Sequence, residues 1–368
     1  MKNPYRADHL GSLLRPAELL DARTRFIEGS LDRNGLNELE DRAIIDVLDL
    51  QQQAGVDVFT DGEFRRESFL TSFGESVDGL APSSEWVSWE WHGPEAGMVS
   101  ATVPVVSGKL RQNKRMTAHE TNFMKIHSPG PIKITIPSPS LLIGRGSYKP
   151  GITDNVYPTH GSLLQDIASI INNEIKSVIE EGIPYVQIDA PGYTRFCDEV
   201  DRQQMLESGI DPDQAFEEAI TADRAALEGT QRDGTTLGLH VCRGNHRSRW
   251  LNSGGYERIA EALFTTMPVD RFLLEYDTER SGGFEPLRFI PNGKTVVLGL
   301  ITTKDGNMES QDFILRRIEE AAQYVPLDNL ALSPQCGFAS VNAGNLLSVD
   351  EQLRKLELTA ATARKVWG

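Results

Sequence analysis

The run Thr235-Thr236-Leu237-Gly238-Leu239 ends in His240-Val241-Cys242. Residues i and i+2 of a strand point to the same side, so an imidazole and a thiol leave this strand end together. Two later runs end on comparable atoms: Arg271-Phe272-Leu273-Leu274-Glu275 on a carboxylate, and the run from Asn329 to Cys336 on a thiol. One His, two Cys and one Glu make a plausible tetrahedral zinc shell, whereas four Cys would suggest a structural role. Taken alone, His-x-Cys reads more readily as a buried histidine beside a small buried hydrophobe. What favours the metal is position, because ligand atoms recur at the ends of later strand-like runs.

The elements that position these residues follow a simple alternation. Strand-like runs fall at 5–12, 56–60, 131–136, 185–189, 235–242, 271–275, 295–300 and 329–336. Helical patterns fall between most of them, at 36–54, 161–181, 212–231, 256–265 and 309–323, and a closing helix spans 350–366. The 161–181 segment repeats apolar residues near the 3.6 period, and Gly55 suits the C′ position after the helix that ends at Ala54. Eight runs separated by helices predict an α/β fold, a (β/α)₈ TIM barrel. His240, Cys242, Glu275 and Cys336 then all lie at C-terminal strand ends, where barrels place active sites. Residues 68–130 match no repeat; they hold Trp86, Trp89 and Trp91 with scattered Pro and Gly. They read as an insertion after the second strand, forming a lid or small sheet within a single domain spanning 1–368. A contact in a homo-oligomer is the other use such a segment has.

Lys plus Arg is 37 against 53 for Asp plus Glu, a formal charge of −16. Such a field repels nucleic acid and anionic membranes as partners. No run approaches the ~18 apolar residues of a membrane span, and the first residues show no apolar signal core. Three cysteines cannot form a disulfide framework, so the expectation is a cytoplasmic protein with reduced thiols.

Several stretches together resemble the C-terminal catalytic barrel of cobalamin-independent methionine synthase, particularly short single-barrel members. They are Arg6-Ala7-Asp8-His9-Leu10-Gly11-Ser12, Thr60-Asp61-Gly62-Glu63-Phe64-Arg65-Arg66, Tyr185-Val186-Gln187-Ile188-Asp189, His240-Val241-Cys242-Arg243-Gly244-Asn245, Leu274-Glu275 and Ser333-Pro334-Gln335-Cys336-Gly337. The resemblance implies a methyltransferase that forms methionine from homocysteine, with 5-methyltetrahydrofolate or a related compound as donor. It implies Zn2+ held by His240, Cys242, Glu275 and Cys336. It further implies that the amino-acid end of the thiol is held by Gly11 and Ser12, Glu63 and Asp189. That is chemically sensible, because an ammonium seeks carboxylates and a carboxylate seeks backbone N–H groups at a turn.

The chain differs from the family pattern at Ala190, where Glu is common, and at Lys304, which stands where full-length members carry a proton-donating histidine. Lys304 is therefore the candidate catalytic acid, with anion binding or a solvent-facing position as its alternatives. Lys304, Arg243, Arg247 and Arg249 could together form a basic patch for an anionic donor. Two other functions fit the residues: a zinc-dependent alkyltransferase using a coenzyme M-type thiol or a corrinoid donor, and a non-catalytic zinc-binding barrel.

Overall fold

The computed structural model describes residues 4–368 apart from 143, 145, 231 and 233. Its strands are β1 (Val77–Ala81), β2 (Trp86–Trp91), β3 (Gly97–Thr102), β4 (Val105–Gln112), β5 (Lys133–Pro137), β6 (Tyr185–Asp189), β7 (Thr236–Val241), β8 (Arg271–Glu275), β9 (Thr295–Ile301) and β10 (Leu330–Pro334). β5 to β10 form one parallel sheet in chain order, β10-β9-β8-β7-β6-β5. Two extended segments close it into a barrel. Ala7 bridges to Leu332 of β10, Phe59 bridges to Ile132 just before β5, and the Asp57 amide donates to Ala7 O at 2.9 Å. The expected first and second strands are thus staves of the barrel without full ladders. The reason is local: Asp57 Oδ2 takes the amides of Arg6 at 2.7 Å and Ala7 at 2.8 Å, bonds a neighbouring strand would otherwise receive.

Nearly every position of β5–β10 is buried, as expected for parallel strands covered on both faces. Outward residues such as Ile134, Val186, Leu239, Phe272, Leu298 and Leu332 join the main core beneath the helices. Inward apolar residues are few: Leu10, Leu273, Val297 and Ala331 form one cluster, and Tyr5, Val58 and Tyr185 another. The remaining interior positions carry polar side chains, which need partners inside the barrel.

The helices follow the sequence closely. Arg33–Ala54 ends at Gly55 with φ of 75°, the left-handed conformation that glycine adopts without a Cβ penalty. His160–Glu180 starts with a Thr159–Ser162 capping box, and Val349–Trp367 with a Ser348–Glu351 capping box. Pro212–Leu227 stops short of the expected 231, a residue outside those described. No helix among the described residues is long and apolar enough to cross a membrane.

Residues 68–130 hold two antiparallel ribbons, β1 with β4 and β2 with β3, followed by the helix Ala118–His127 that leads into β5. The turn after β2 is fastened to the loop that follows β7. His92 and Trp250 exchange backbone hydrogen bonds of 2.8 and 3.1 Å, and Arg249 Nη1 donates to Glu95 O at 3.2 Å. Gly93 packs so tightly that a Cβ there would lie 2.2 Å from the Trp250 ring. The Trp91 and His246 rings stand 5.2 Å apart.

Candidate metal centre

His240 is the penultimate residue of β7 and Cys242 follows the strand's end, while Cys336 lies two residues beyond β10. Cys336 Sγ is 3.6 Å from Cys242 Sγ and 3.8 Å from His240 Nε2. One ligand atom from each of the three lies within 4.8 Å of the others, and all three residues are buried. Leu273 O sits 3.3 Å from His240 Nδ1, which leaves Nε2 to face the sulfurs. The sulfurs are close enough to share a proton. The hydrogen bond between the two sulfurs holds Cys336 well below the ordinary thiol range and pushes Cys242 up.

Glu275 ends β8 but its carboxylate stands outside this three-residue group. Oε2 accepts the Arg243 amide at 2.8 Å, and Oε1 accepts Arg280 Nε at 2.9 Å. Burial pushes Glu275 up, and the Arg243 and Arg280 guanidiniums more than offset it, so it stays below its ordinary range. Two soft sulfurs and an imidazole nitrogen, buried and mutually close, fit zinc. Glu275 is the neighbouring carboxylate that could complete the shell.

Beside this group lie the residues expected for an amino acid. Gly11 has φ of 107°, and a Cβ there would lie 2.7 Å from Thr135 Cγ2, so the turn admits only glycine. His9 Nδ1 accepts the Gly11 amide at 3.3 Å. Ser12 abuts Gly337, next to Cys336; a Cβ on Gly337 would fall 1.9 Å from Ser12 Oγ. Glu63 is buried with φ of 60°, a strained conformation for a residue with a Cβ. Its Oε1 accepts Thr135 Oγ1 at 2.8 Å, while Oε2 is buried with no partner. Burial pushes the Glu63 carboxyl up. Asp189, at the end of β6, accepts Gln187 Nε2 at 2.8 Å. Burial raises it to about 7; the nearby Glu63 adds to this and His240 opposes it. The two carboxylates therefore sense each other, and Asp189 senses His240.

Lys304 is buried, which excludes the solvent-facing alternative. Nζ donates to Gly244 O at 2.9 Å, Asn245 Oδ1 at 2.7 Å and Arg249 O at 3.1 Å. All three ammonium protons thus hold the loop after Cys242. The expected basic patch does not form: Arg243 is buried against Gly254 O and Tyr256, Arg249 against His246 O and Glu95 O, and Arg247 pairs with Glu95.

Some site residues carried no local signal. Arg15 donates to Ala339 O at 2.9 Å, Glu63 O at 2.9 Å and Arg66 O at 2.8 Å, and Arg23 also binds the carbonyls of Phe64 and Arg66. They clamp the Glu63 turn from distant parts of the chain. Arg66 makes a paired-nitrogen contact to buried Glu120, with Nε at 2.6 Å from Oε1.

The catalytic-domain model of cobalamin-independent synthase matches residues 7–358. YxjH of Bacillus subtilis, an uncharacterized protein, is 36% identical over 375 residues, covering 100% of this chain and 96% of YxjH. Methionine synthase of Sulfolobus acidocaldarius is 25% identical over 331 residues, covering 89% of this chain and 84% of the relative. A Listeria monocytogenes crystal structure, described as a candidate vitamin-B12-independent methionine synthase, superposes with a TM-score of 0.75 at 28% identity, covering 100% of this chain and 99% of the other.

Proposed function

The chain belongs to the cobalamin-independent synthase family through its catalytic domain, and from that premise we propose that it is a zinc-dependent methyltransferase making methionine from homocysteine. The observation that carries this reading is the buried His240–Cys242–Cys336 group standing beside two buried carboxylates with capacity to spare. Bound zinc would supply a Lewis acid that keeps a substrate thiol ionised at neutral pH, where a free thiol with pKa near ~8.5 is mostly protonated. His240, Cys242 and Cys336 would hold that ion, with Glu275 as the carboxylate that would complete the shell.

The chain's own residues do the rest. Glu63 and Asp189 receive the substrate ammonium, which fills the unpartnered Glu63 oxygen and favours the ionised form of Asp189. The Gly11–Ser12 turn receives the carboxylate. Because Ser12 touches Gly337, this turn fixes the distance between the amino-acid end and the Cys336 end of the site. Lys304 holds the loop from Gly244 to Arg249 and sets a positive charge near the sulfurs. The ribbon of β2 and β3, anchored on Trp250, acts as a lid over that loop.

For the donor, 5-methyltetrahydrofolate is the first reading. One observation favours a second: a folate leaves a nitrogen that must gain a proton, and Lys304 has its three N–H groups engaged. A corrinoid leaves without that requirement. The test offers L-homocysteine with methyl-folate, as mono- and triglutamate, and with methylcobalamin. Methionine from either donor supports the reaction and identifies the donor; no methionine from any of them removes homocysteine methylation.

A further inference from the structure

Beneath the amino-acid subsite, the inward side chains of β5 and β6 form a hydrogen-bonded layer. Thr135 lies opposite Gln187, and Lys133 opposite Tyr185, one step lower in the barrel. Gln187 spans two ends of the subsite at once. Its Nε2 donates to Asp189 Oδ1 at 2.8 Å and to Leu10 O at 3.0 Å, while its Oε1 accepts Lys133 Nζ at 2.9 Å. An amide can sit either way round, but an ammonium has three donors and no acceptor. Lys133 therefore fixes the oxygen toward itself and turns the amide nitrogen toward Asp189 and Leu10. The other Lys133 protons go to Asp8 Oδ1 and His9 O, which pins the segment leading into Gly11. Thr135 plays a similar part for Glu63, donating to Oε1 at 2.8 Å while accepting Arg66 Nη1 at 3.0 Å.

We propose that Lys133 and Gln187 are a positioning pair for the amino-acid subsite, holding Asp189 and the Leu10–Ser12 turn in fixed relation without touching the substrate. Selectivity for a thiol that carries both an ammonium and a carboxylate then depends on one amide and the lysine that orients it. This rests on the reading that the site takes an amino-acid thiol.

The test measures dissociation constants of the zinc-loaded full chain for L-homocysteine and 2-mercaptoethanol, with zinc content recorded for each variant. In Gln187→Met and Gln187→Glu, L-homocysteine binding weakens by about tenfold or more, the scale of losing a hydrogen bond to a charged group. Binding of 2-mercaptoethanol stays within about twofold and zinc content is unchanged, because neither depends on the carboxylates. The double variant Lys133→Met, Gln187→Met weakens L-homocysteine binding by less than the product of the two single losses, since part of the lysine's effect runs through the same amide and the rest through Asp8 and His9 O. If Lys133→Met does not fold, the two Gln187 variants decide. Equal weakening of both thiols, or of neither, overturns the positioning pair while wild type still prefers L-homocysteine. A wild type with no such preference overturns the amino-acid-thiol reading and the positioning pair with it.

Discussion

Two groups of buried charge share the barrel interior; burial raises the carboxyls of both, and pairing separates them. In the lower group Lys133 Nζ and Tyr185 OH, the latter at 3.0 Å, donate to Asp8, and the Arg271 guanidinium pairs with it by charge at 3.3 Å. Burial pushes Asp8 up, yet the two cations outweigh it and its carboxyl stays below the ordinary range. In the upper group Glu63 keeps an oxygen without a partner and Asp189 is raised to about 7. Equal burial with unequal pairing separates a carboxylate engaged within the fold from carboxylates that keep capacity for the proposed ammonium. Buried polar atoms are nearly always satisfied, so the unpartnered Glu63 oxygen is the atom the proposed substrate ammonium would partner.

The largest contrast should appear on removing charge from each group. Lys133→Met leaves Asp8 short of its main partner, and denaturant unfolding should show a loss of roughly 3–5 kcal/mol. Asp189→Asn should cost no stability at pH 8, because the wild type there carries a buried charge with little compensation. The sign follows from the direction of the shift: a raised carboxyl favours folding at low pH, and that advantage is lost as pH rises through about 7. Destabilisation by Asp189→Asn as large as that of Lys133→Met would erase the distinction.

Next in size is ligand selectivity. Asp189→Asn should weaken L-homocysteine by about 100-fold relative to 4-mercaptobutyrate, which lacks the amine, as expected for breaking a buried charge pair. In the wild type, the same ratio measured against pH should fall by up to about tenfold per unit below pH 7, as Asp189 takes up a proton and can no longer face an ammonium. Thiol ionisation affects both compounds alike and cancels in the ratio. A ratio flat from pH 5 to pH 8 would show that Asp189 does not meet the amine.

Two smaller effects test the rim. Lys304→Met frees the loop from Gly244 to Arg249 and should lower turnover by about tenfold with zinc content unchanged, since positioning errors cost rate before they cost structure. Trp91→Ala loosens the ribbon against His246 and should raise the KM for L-homocysteine by only about two- to fivefold, as expected for a lid contact. A tenfold change in turnover from Trp91→Ala would place the ribbon in the chemistry itself.

The barrel was legible because its signals are local. Apolar runs, helix periodicity and Gly55 each report their own neighbourhood, and their alternation determines the architecture. The ligand types at strand ends were legible for the same reason. Staves near Ala7 and Phe59 were legible as extended chain but not as bridges, because Asp57 diverts their amides by a side-chain contact. Arg15 and Arg23 were not legible, since the carbonyls they clamp are brought near only by the closed barrel. Lys304 was visible as an unusual residue, but its burial and three acceptors come from a loop some sixty positions away in the chain, as with Gly244 O. The separation of Glu275 from the three-residue group depends on Arg243 and Arg280, whose direction no local pattern reveals.

Zinc stoichiometry is the most direct test of the central claim, measured on purified wild type and on Cys242→Ser, Cys336→Ser and Cys197→Ser. Cys197 is buried in the main hydrophobic core and lies outside the His240–Cys242–Cys336 group. Wild type and Cys197→Ser should hold about one zinc per chain, and each ligand variant should bind it at least 10- to 100-fold more weakly, the cost seen even for outer contacts of metal sites. Full zinc in both Cys242→Ser and Cys336→Ser would contradict the assignment.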